Sequence, residues 1–235
     1  MKGGSELQPT NSGSPGRMTV TVVAIDGPGG SGKSTVAGRL AETLGVPMLS
    51  TGLFFRVAAW GLASTVTEGQ WERPGSSDVD AWFDAHTITV EDDRALFDGH
   101  PLGAELRSPR VQQVLSRVSA NETVRHRILE LERVLIGRLG SCVVEGRDIG
   151  SVVCPQAVCK FYLVARRRVR IERRPEEGME LVDRDHRDSV RRYAPLTMAS
   201  DAFLVDNSDE PVEVLVERMA SLVDLRSKSV HVGVL

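Results

Sequence analysis

A glycine-rich stretch near the N-terminus, AIDGPGGSGKST at residues 24–35, combines residue types suited to holding an anion. Its GPGGSGKS segment fits the pattern G-x-x-x-x-G-K-[ST] and lies between a strand-like run and a helix-like run. Glycines let the backbone wrap round an anion, so that several N–H groups point inward at the N-terminus of the following helix. We therefore predict a phosphate-binding loop. Its binding residues would be Gly27, Gly29, Gly30, Ser31, Gly32, Lys33, Ser34 and Thr35.

Two side chains of this loop add chemistry that the backbone cannot supply. Lys33 can bridge the outer phosphates of a nucleoside triphosphate, and Ser34 can ligate magnesium. An ordinary glycine-rich turn between a strand and a helix is the alternative, but here the complete motif stands in its expected context. The loop predicts ATP, or a similar triphosphate, with Mg²⁺ as cofactor. It does not by itself distinguish a kinase from a hydrolase or a switch.

The elements that must position this loop alternate along the chain. Amphipathic helices such as KSTVAGRLAETLG and GLFFRVAAWGLAS separate buried strands, and further helices are predicted near 109–120, 122–139 and 210–225. This alternation is typical of an α/β fold with a parallel sheet between two helical layers, here the three-layer P-loop NTPase fold. TITVEDDRALFDG predicts a two-stranded hairpin inside an insertion. The predicted buried strands are TVTVVAID, VPMLS, SCVVEG, KFYLVA and DAFLVDNS.

Composition narrows the class of protein. The 235 residues predict one domain with a small insertion, and 41% of them are hydrophobic, enough for a core. A net charge of −3 and the lack of an aromatic-basic platform argue against nucleic acid as a partner. No apolar run or leader indicates a membrane or secretion. Three cysteines without a CxxC pair predict a reduced, cytoplasmic protein. Residues 1–17 and 226–235 are expected to be a disordered and a loose tail.

Further motifs point to the second substrate. Beside the glycine-rich loop, the chain contains STGLFFR, ELRSPRVQQVLSRVSANETVR, VVEGRDIGSVVCP, RDHRDSVRRYAPL and FLVDNSDEPVEVLVER. Through these segments, from about Val22 to Val223, it resembles the cytidylate (CMP) kinase family of P-loop nucleoside monophosphate kinases. This resemblance implies a kinase domain over residues 18–225, with an acceptor-binding insertion near 67–131 and a short lid near 173–184.

The resemblance also implies a role for individual residues. Arg173 or Arg174 would reach the donor from the lid. Ser116, Arg125 and Asp148 would read the base. Lys33, Arg147 and Arg191 would neutralise the transferring group. The full set implied to bind the acceptor is Thr51, Phe55, Arg56, Arg107, Ser116, Arg125, Arg147, Asp148, Arg184, Asp188 and Arg191.

The chemistry of the substrates agrees with these roles. A nucleoside monophosphate has a second pKa of about 6, so its attacking oxygen is anionic near pH 7 and needs no general base. Arginine suits the remaining task, because its planar fork pairs two phosphate oxygens at once. Cytosine offers two acceptors and an exocyclic amine, which Arg125 and Asp148 can match. Asp148 could instead cap a turn, and we expect residues 166–168 to be a solvated helix face.

Several positions depart from the family pattern. Ser50 and Phe55 stand where Asp and Tyr are usual, and Gly103 replaces a small polar residue. The lid segment RRPEEGMELVDRD is shorter than in typical members. A short lid has little surface to close over ATP, so we expect it to shield the transferring phosphoryl group poorly from water.

Together these observations predict ATP-dependent phosphorylation of CMP, and of dCMP, by a magnesium-dependent monomeric enzyme whose partners are small-molecule nucleotides. Two alternatives stay open. A specialised family member could phosphorylate another small phosphate or phosphonate in a secondary pathway. A non-catalytic nucleotide-binding module would need no second set of phosphate-binding arginines, which the RDHRDSVRR segment supplies.

Overall fold

The computed structural model describes residues 22–65, 77–91 and 94–232. Strands and helices alternate along it, with one 3₁₀ turn at Ala104–Arg107 and one π-helical turn at Ile149–Val153. In chain order the elements are β1 (Val22–Asp26), α1 (Lys33–Leu44), β2 (Met48–Ser50), α2 (Gly52–Thr65), α3 (Ser77–Ala85), β3 (Ile88–Glu91), β4 (Arg94–Phe97), β5 (His100–Leu102), α4 (Pro109–Ala120), α5 (Glu122–Leu139), β6 (Cys142–Glu145), β7 (Cys159–Val164), α6 (Arg167–Arg173), α7 (Glu180–Val190), β8 (Phe203–Asp206) and α8 (Val212–Val232).

The central sheet has five parallel strands in the order β2-β6-β1-β7-β8. Its middle strand, β1, pairs Ile25 with Glu145 on one side and with Phe161 on the other. Parallel strands bring their carboxyl ends to one edge of the sheet, where ligands bind in open α/β folds. The polar residues Asp26, Ser50 and Glu145 therefore meet at this edge.

Each face of the sheet packs against its own helices. Alternate residues of β1 point to opposite faces, so Ala24 joins the core beneath α2, α4 and α5, whereas Val23 and Ile25 join the core beneath α1 and α8. Both cores consist mainly of buried aliphatic and aromatic side chains. This arrangement confirms the predicted three-layer α/β fold with a parallel sheet.

The segment between α2 and α4 adds a small antiparallel sheet in the order β3-β4-β5. The predicted hairpin is confirmed, and β5 is a third strand that the sequence did not indicate. It spans only three residues, two of them exposed, and Pro101 interrupts its pattern. Trp82 stacks on Phe97 at a centroid distance of 5.7 Å and holds α3 against this sheet.

The expectation of a loose tail over residues 226–235 is wrong for most of that segment. Helix α8 continues to Val232, because the sequence after Val223 contains neither glycine nor proline that would stop it until Gly233. Lys228 and Asp224 add an ion pair of 2.5 Å one turn apart. The predicted tail at 1–17 lies outside the described residues. None of the helices in the described part of the chain has the length and apolar composition to cross a membrane.

Candidate active site

The glycine-rich loop connects the carboxyl end of β1 to the N-terminus of α1. A side chain at Gly27 would place its Cβ 2.1 Å from the carbonyl oxygen of Leu163, so only glycine fits beside β7. Gly32 adopts a φ of 94°, in the left-handed region that favours glycine, and α1 begins at the next residue. The loop thus turns back over the first amides of α1, which is the geometry of an anion-binding helix terminus.

A cavity of about 520 Å³, here called the loop cavity, opens above this loop. Its charged lining is almost entirely cationic, because Glu210 is the one carboxylate among the described residues that line it. Such a cavity suits a polyanion. Among the residues predicted to bind ATP, those that line it are Gly29, Gly30, Gly32, Lys33, Ser34, Thr35, Arg173 and Arg174.

The predicted residues Gly27 and Ser31 belong to the loop but do not line the loop cavity. Ser31 is fully buried, and its carbonyl oxygen accepts hydrogen bonds from the side-chain Nδ2 of Asn207 at 2.8 Å and from Arg173 at 3.2 Å. Arg173 also donates to the carbonyl oxygen of Asn207 at 2.7 Å. Gly27 and Ser31 therefore shape the backbone of the loop and do not face the cavity.

Lys33 and Ser34 lie beside a buried carboxylate that the sequence analysis did not single out. The Lys33 ammonium donates to the carbonyl oxygen of Pro28 at 2.9 Å, and burial lowers the pKa of Lys33 to about 8, although nearby Glu145 raises it. Oε1 of Glu145 accepts from the hydroxyls of Ser34 at 3.2 Å and of Ser50 at 2.5 Å. The sequence signal that could have identified Glu145 is an acidic residue at the carboxyl end of a buried strand.

The described residues contain no cluster of three or more His, Cys, Asp or Glu side chains that could hold a metal by themselves. Ser34 offers a hydroxyl oxygen beside the phosphate-binding loop, and Glu145 lies behind it as the acceptor of its hydrogen bond. This sparse oxygen set fits Mg²⁺, which usually binds through one or two protein groups together with substrate phosphates and water.

A second, smaller cavity of about 150 Å³ lies between β6, α2, α5 and α7 and is here called the Asp148 cavity. Four cationic residues, Lys33, Arg56, Arg147 and Arg184, line both this cavity and the loop cavity. The two spaces therefore meet at a shared group of positive charges. Other residues predicted to bind the acceptor that line the Asp148 cavity are Thr51, Phe55, Arg125, Asp148, Asp188 and Arg191.

Carboxylates of α7 hold Arg147 and Arg191 in place. Nη1 of Arg147 lies 2.6 Å from a carboxylate oxygen of Asp185 and 2.6 Å from one of Asp188. Arg191 contacts the other oxygen of Asp188 at 3.0 Å. Burial, and then nearby Arg125, lowers the pKa of Arg191 to about 10.

Three buried guanidinium nitrogens retain unused hydrogen-bonding capacity, and one of them is Nε of Arg125. Nε of Arg184 and Nη2 of Arg191 have no hydrogen-bond partner among the described residues, although Nη2 of Arg191 lies 3.7 Å from Asp148. Both residues line the Asp148 cavity. Since a buried donor without a partner is costly, an anionic ligand that accepts from these groups would be favoured.

The deepest polar pair of the Asp148 cavity is Arg125 with Asp148, joined at 2.5 Å and both almost fully buried. Arg125 also donates to the carbonyl oxygen of Ser119 at 2.9 Å, and its guanidinium stacks 4.9 Å above the ring of Phe55. The Asp148 side chain makes no capping hydrogen bond to the turn that follows it. The alternative role of Asp148 as a turn cap is therefore not observed.

Two residues predicted to bind the acceptor lie outside this cavity. Ser116 lines a separate cleft between α4 and α7, whereas Ser119, one turn further along α4, faces the cavity. Arg107 is exposed on the 3₁₀ turn, and its carbonyl oxygen accepts from Gln112 at 3.0 Å. The sequence could not decide which face of α4 would be turned toward the site, because that depends on how the helix packs.

The segment after β7 carries two further residues that the sequence analysis missed. Arg170 donates to the carbonyl oxygen of Gly29 at 2.7 Å and also contacts the carboxylate of Asp185. Asp185 accepts from the amide of Gly29 at 2.9 Å as well as from Arg147. Asp185 thus ties the loop, Arg147 and α6 to α7. The predicted solvated face is confirmed, since the side chain of Arg168 is 89% exposed.

Asp26 fixes the turn that carries Arg147 and Asp148. Its carboxylate accepts from the amides of Ile149 at 2.6 Å and Gly150 at 2.7 Å. Burial raises the pKa of Asp26 to about 6, although these hydrogen bonds oppose the shift. Asp26 acts on the backbone of the turn rather than on either cavity.

The similarity of this chain to known proteins extends over most of its length. A family model described as cytidylate kinase matches residues 23–225. A protein named cytidylate kinase from Mycobacterium leprae is 35% identical over 235 residues, covering 91% of this chain and all of that protein. One of the same name from Thermosipho melanesiensis is 35% identical over 219 residues, covering 88% of this chain and 98% of that protein.

Similarity to solved structures is more distant. A gluconokinase from Sinorhizobium meliloti has a TM-score of 0.49 and 14% identity, covering 93% of this chain and all of that one. A shikimate kinase from Acinetobacter baumannii has a TM-score of 0.45 and 15% identity, covering 87% and 93% of the two chains. At these values the likeness does not bear on the site.

Proposed function

The chain belongs to the cytidylate kinase family, and on this premise we propose that it transfers the γ-phosphoryl group of ATP to CMP and dCMP. One observation supports this most directly. The loop cavity and the Asp148 cavity share Lys33, Arg56, Arg147 and Arg184. A phosphoryl group that passes between two anionic substrates needs positive charge at their junction, since charge develops there in the transition state.

In this proposal the loop cavity holds ATP and the Asp148 cavity holds the monophosphate. The backbone amides of residues 29–35 bind the donor phosphates. An oxygen of the acceptor phosphate attacks the γ-phosphorus in line, the bond from the γ-phosphorus to the β–γ bridging oxygen breaks, and ADP leaves. Lys33, Arg147 and Arg191 neutralise the transferring group, with Arg56 and Arg184 beside them. No side chain has to remove a proton, because the acceptor phosphate is already anionic near neutral pH.

Magnesium fits the loop cavity in this proposal. Ser34 would hold the ion, and Glu145 would orient the Ser34 hydroxyl to which it is already hydrogen-bonded. When bound, Mg²⁺ neutralises charge on the donor phosphates and helps to align them. The other ligands would be phosphate oxygens and water.

Base recognition is assigned to Arg125 and Asp148. The Asp148 carboxylate can accept from the exocyclic amine of cytosine, while Arg125 can donate to a ring acceptor. Ser116 is left out of this assignment, because it lies in the neighbouring cleft. Thr51 lines the same cavity and is buried, with its hydroxyl donating to the carbonyl oxygen of Glu145 at 3.2 Å; we assign it to the acceptor phosphate.

We further propose that the protein acts as a monomer in the cytoplasm on small-molecule nucleotides. Side chains of one chain supply the lining of both cavities, so the site needs no second copy. All three cysteines are buried free thiols, which suits a reducing compartment. Light scattering of the purified protein with and without nucleotides would test the oligomeric state.

An acceptor panel with ATP and Mg²⁺ tests the activity. We expect ADP release that depends on CMP or dCMP and is much slower with UMP, AMP or a simple phosphonate. A phosphonate used faster than CMP would instead support the specialised-kinase alternative, which neither the relatives nor the site favours. ATP binding without ADP release for any acceptor would support a non-catalytic module.

A further inference from the structure

The short lid, residues 173–184, is held with little help from apolar packing. None of the seven residues of α6 is buried, and in the lid itself Leu181 is the one buried apolar residue. A segment that buries so little apolar surface must be ordered by polar contacts. These contacts decide where the arginines of the lid point.

Glu177, in the turn between α6 and α7, makes two such contacts. Its Oε1 lies 2.9 Å from Nη1 of Arg174, and its Oε2 lies 2.9 Å from Nη2 of Arg184. The Glu177 side chain is only 10% exposed, whereas the adjacent Glu176 is an exposed residue. One carboxylate therefore joins two arginines that come from opposite ends of the lid.

Both arginines face the proposed substrates. Arg174 lines the loop cavity, and Arg184 lines the loop cavity and the Asp148 cavity. An arginine has five N–H donors, and Glu177 contacts one nitrogen of each. Nε of Arg184 has no hydrogen-bond partner among the residues that the structure describes. The bridge thus fixes the two side chains while leaving donors for phosphate oxygens.

We propose that Glu177 is a positioning residue, which orients Arg174 and Arg184 toward the triphosphate and so compensates for the small surface of the lid. Without the carboxylate, two long side chains would have to be ordered when the nucleotide binds, and that cost would weaken binding. The inference rests on the proposed use of ATP as donor. It does not depend on which acceptor the enzyme uses.

The test compares Glu177→Gln with Glu176→Gln, a matched control that changes the neighbouring exposed carboxylate in the same way. The first measurement is the equilibrium affinity for a non-hydrolysable ATP analogue with Mg²⁺. We expect Glu177→Gln to bind it about tenfold more weakly than the wild type, a typical cost for losing the preorganisation of a charged contact. Glu176→Gln should bind it as the wild type does. Unchanged or tighter binding by Glu177→Gln would overturn the proposal, since the carboxylate would then be a spectator or a competitor of the phosphates.

A double-mutant cycle separates positioning from a general effect on the lid. In the Arg174→Ala background, the loss caused by Glu177→Gln should be clearly smaller, because one of the two positioned groups is already gone. An equal loss in both backgrounds would contradict the proposal. Thermal unfolding midpoints should stay within a few degrees of the wild type.

The same data distinguish this proposal from the proposed function. If the wild type binds the analogue but releases no ADP with CMP, CMP kinase activity is wrong, while the comparison of the two glutamine variants still decides the role of Glu177. If the wild type does not bind the analogue at all, both proposals are wrong.

Discussion

At the residue scale, Asp148 joins two cations that meet at the proposed base site. One carboxylate oxygen pairs with Arg125 at 2.5 Å, and the other lies 3.7 Å from Arg191. A carboxylate can accept from the cytosine amine but opposes the O4 carbonyl of uracil. In the proposed function, the charge of Asp148 would serve both the internal network and the choice of base.

Asp148→Asn should change that choice. An asparagine can present its amide N–H to the uracil O4, so we expect the ratio of kcat/KM for CMP to that for UMP to fall by about tenfold or more. The ratio is the quantity to measure, because losing the charge next to Arg125 will also lower the absolute activity. A folded variant with an unchanged ratio would show that the carboxylate does not read the base.

Glu132 is a second buried acid beneath the same cavity. It lies on α5, two turns after Arg125, and is 3% exposed. Burial, and then the charge of Asp148, raises the pKa of Glu132 well above its ordinary value of 4.5, while Arg125 and Arg133 oppose the shift. The native protein therefore keeps Glu132 protonated at a pH where the unfolded chain has lost that proton.

This difference predicts a pH-dependent stability. Between pH 4.5 and the higher pKa of the folded state, raising the pH favours unfolding, with a slope of about 1.4 kcal/mol per pH unit for this single group. Glu132→Gln removes the ionisation and keeps a neutral hydrogen-bonding group. We expect its free energy of unfolding to rise relative to the wild type as the pH increases from 5 to 7, measured by urea titration. A difference that does not change with pH would mean that Glu132 is ionised in the native state.

At the scale of elements, α7 connects the two cavities. Asp185 binds the amide of Gly29, Arg147 and Arg170, so one carboxylate links the phosphate-binding loop to the turn after β6 and to α6. Asp188, one turn later, holds Arg147 and Arg191. The orientation of α7 thereby sets the relative positions of the proposed donor and acceptor groups.

Asp185→Asn should loosen this connection. An asparagine keeps the shape but loses the charge that balances Arg147 and Arg170, so we expect Arg147 to be misplaced and kcat to fall by about tenfold to a hundredfold. Asp183→Asn, an exposed change on the same helix, is the control and should leave kcat unchanged. Steady-state kinetics with saturating ATP and CMP measure the effect. Equal kcat values for the two variants would contradict the role given to Asp185.

Local sequence signals predicted the elements well and the contacts between them less well. The bounds of α4 and α5 agree with the prediction because Ser108 and Asn121 cap them, each side chain accepting from the amide three residues later. The C-terminal end of α8 has no glycine or proline before Gly233 to mark it, and the predicted end near residue 225 was too early. The motifs also identified most of the cavity-lining arginines. Ser116, Glu145 and Asp185 show the limit, because a side chain's orientation depends on packing between elements distant in the sequence.

At the scale of the whole molecule, the proposed site combines the cationic loop cavity with the segment that we propose as its short lid, residues 173–184. The loop cavity is about 520 Å³ in volume, and the lid over it is held mainly by charged pairs. Lid closure in a kinase normally excludes water from the transferring phosphoryl group. We therefore predict that a lid of this size gives water more access to the transferring group than a larger lid would.

We expect this access to appear as hydrolysis of ATP without an acceptor. The rate of ADP release in the absence of CMP should exceed that of Lys33→Ala, which lacks the ammonium group at the junction of the two cavities and so reports the background. Raising the salt concentration should weaken the charged pairs that hold the lid and increase the ratio of hydrolysis to CMP-dependent transfer. Acceptor-free ADP release no faster than that of Lys33→Ala, at low and high salt alike, would show that the short lid excludes water well enough and that its length does not limit the reaction.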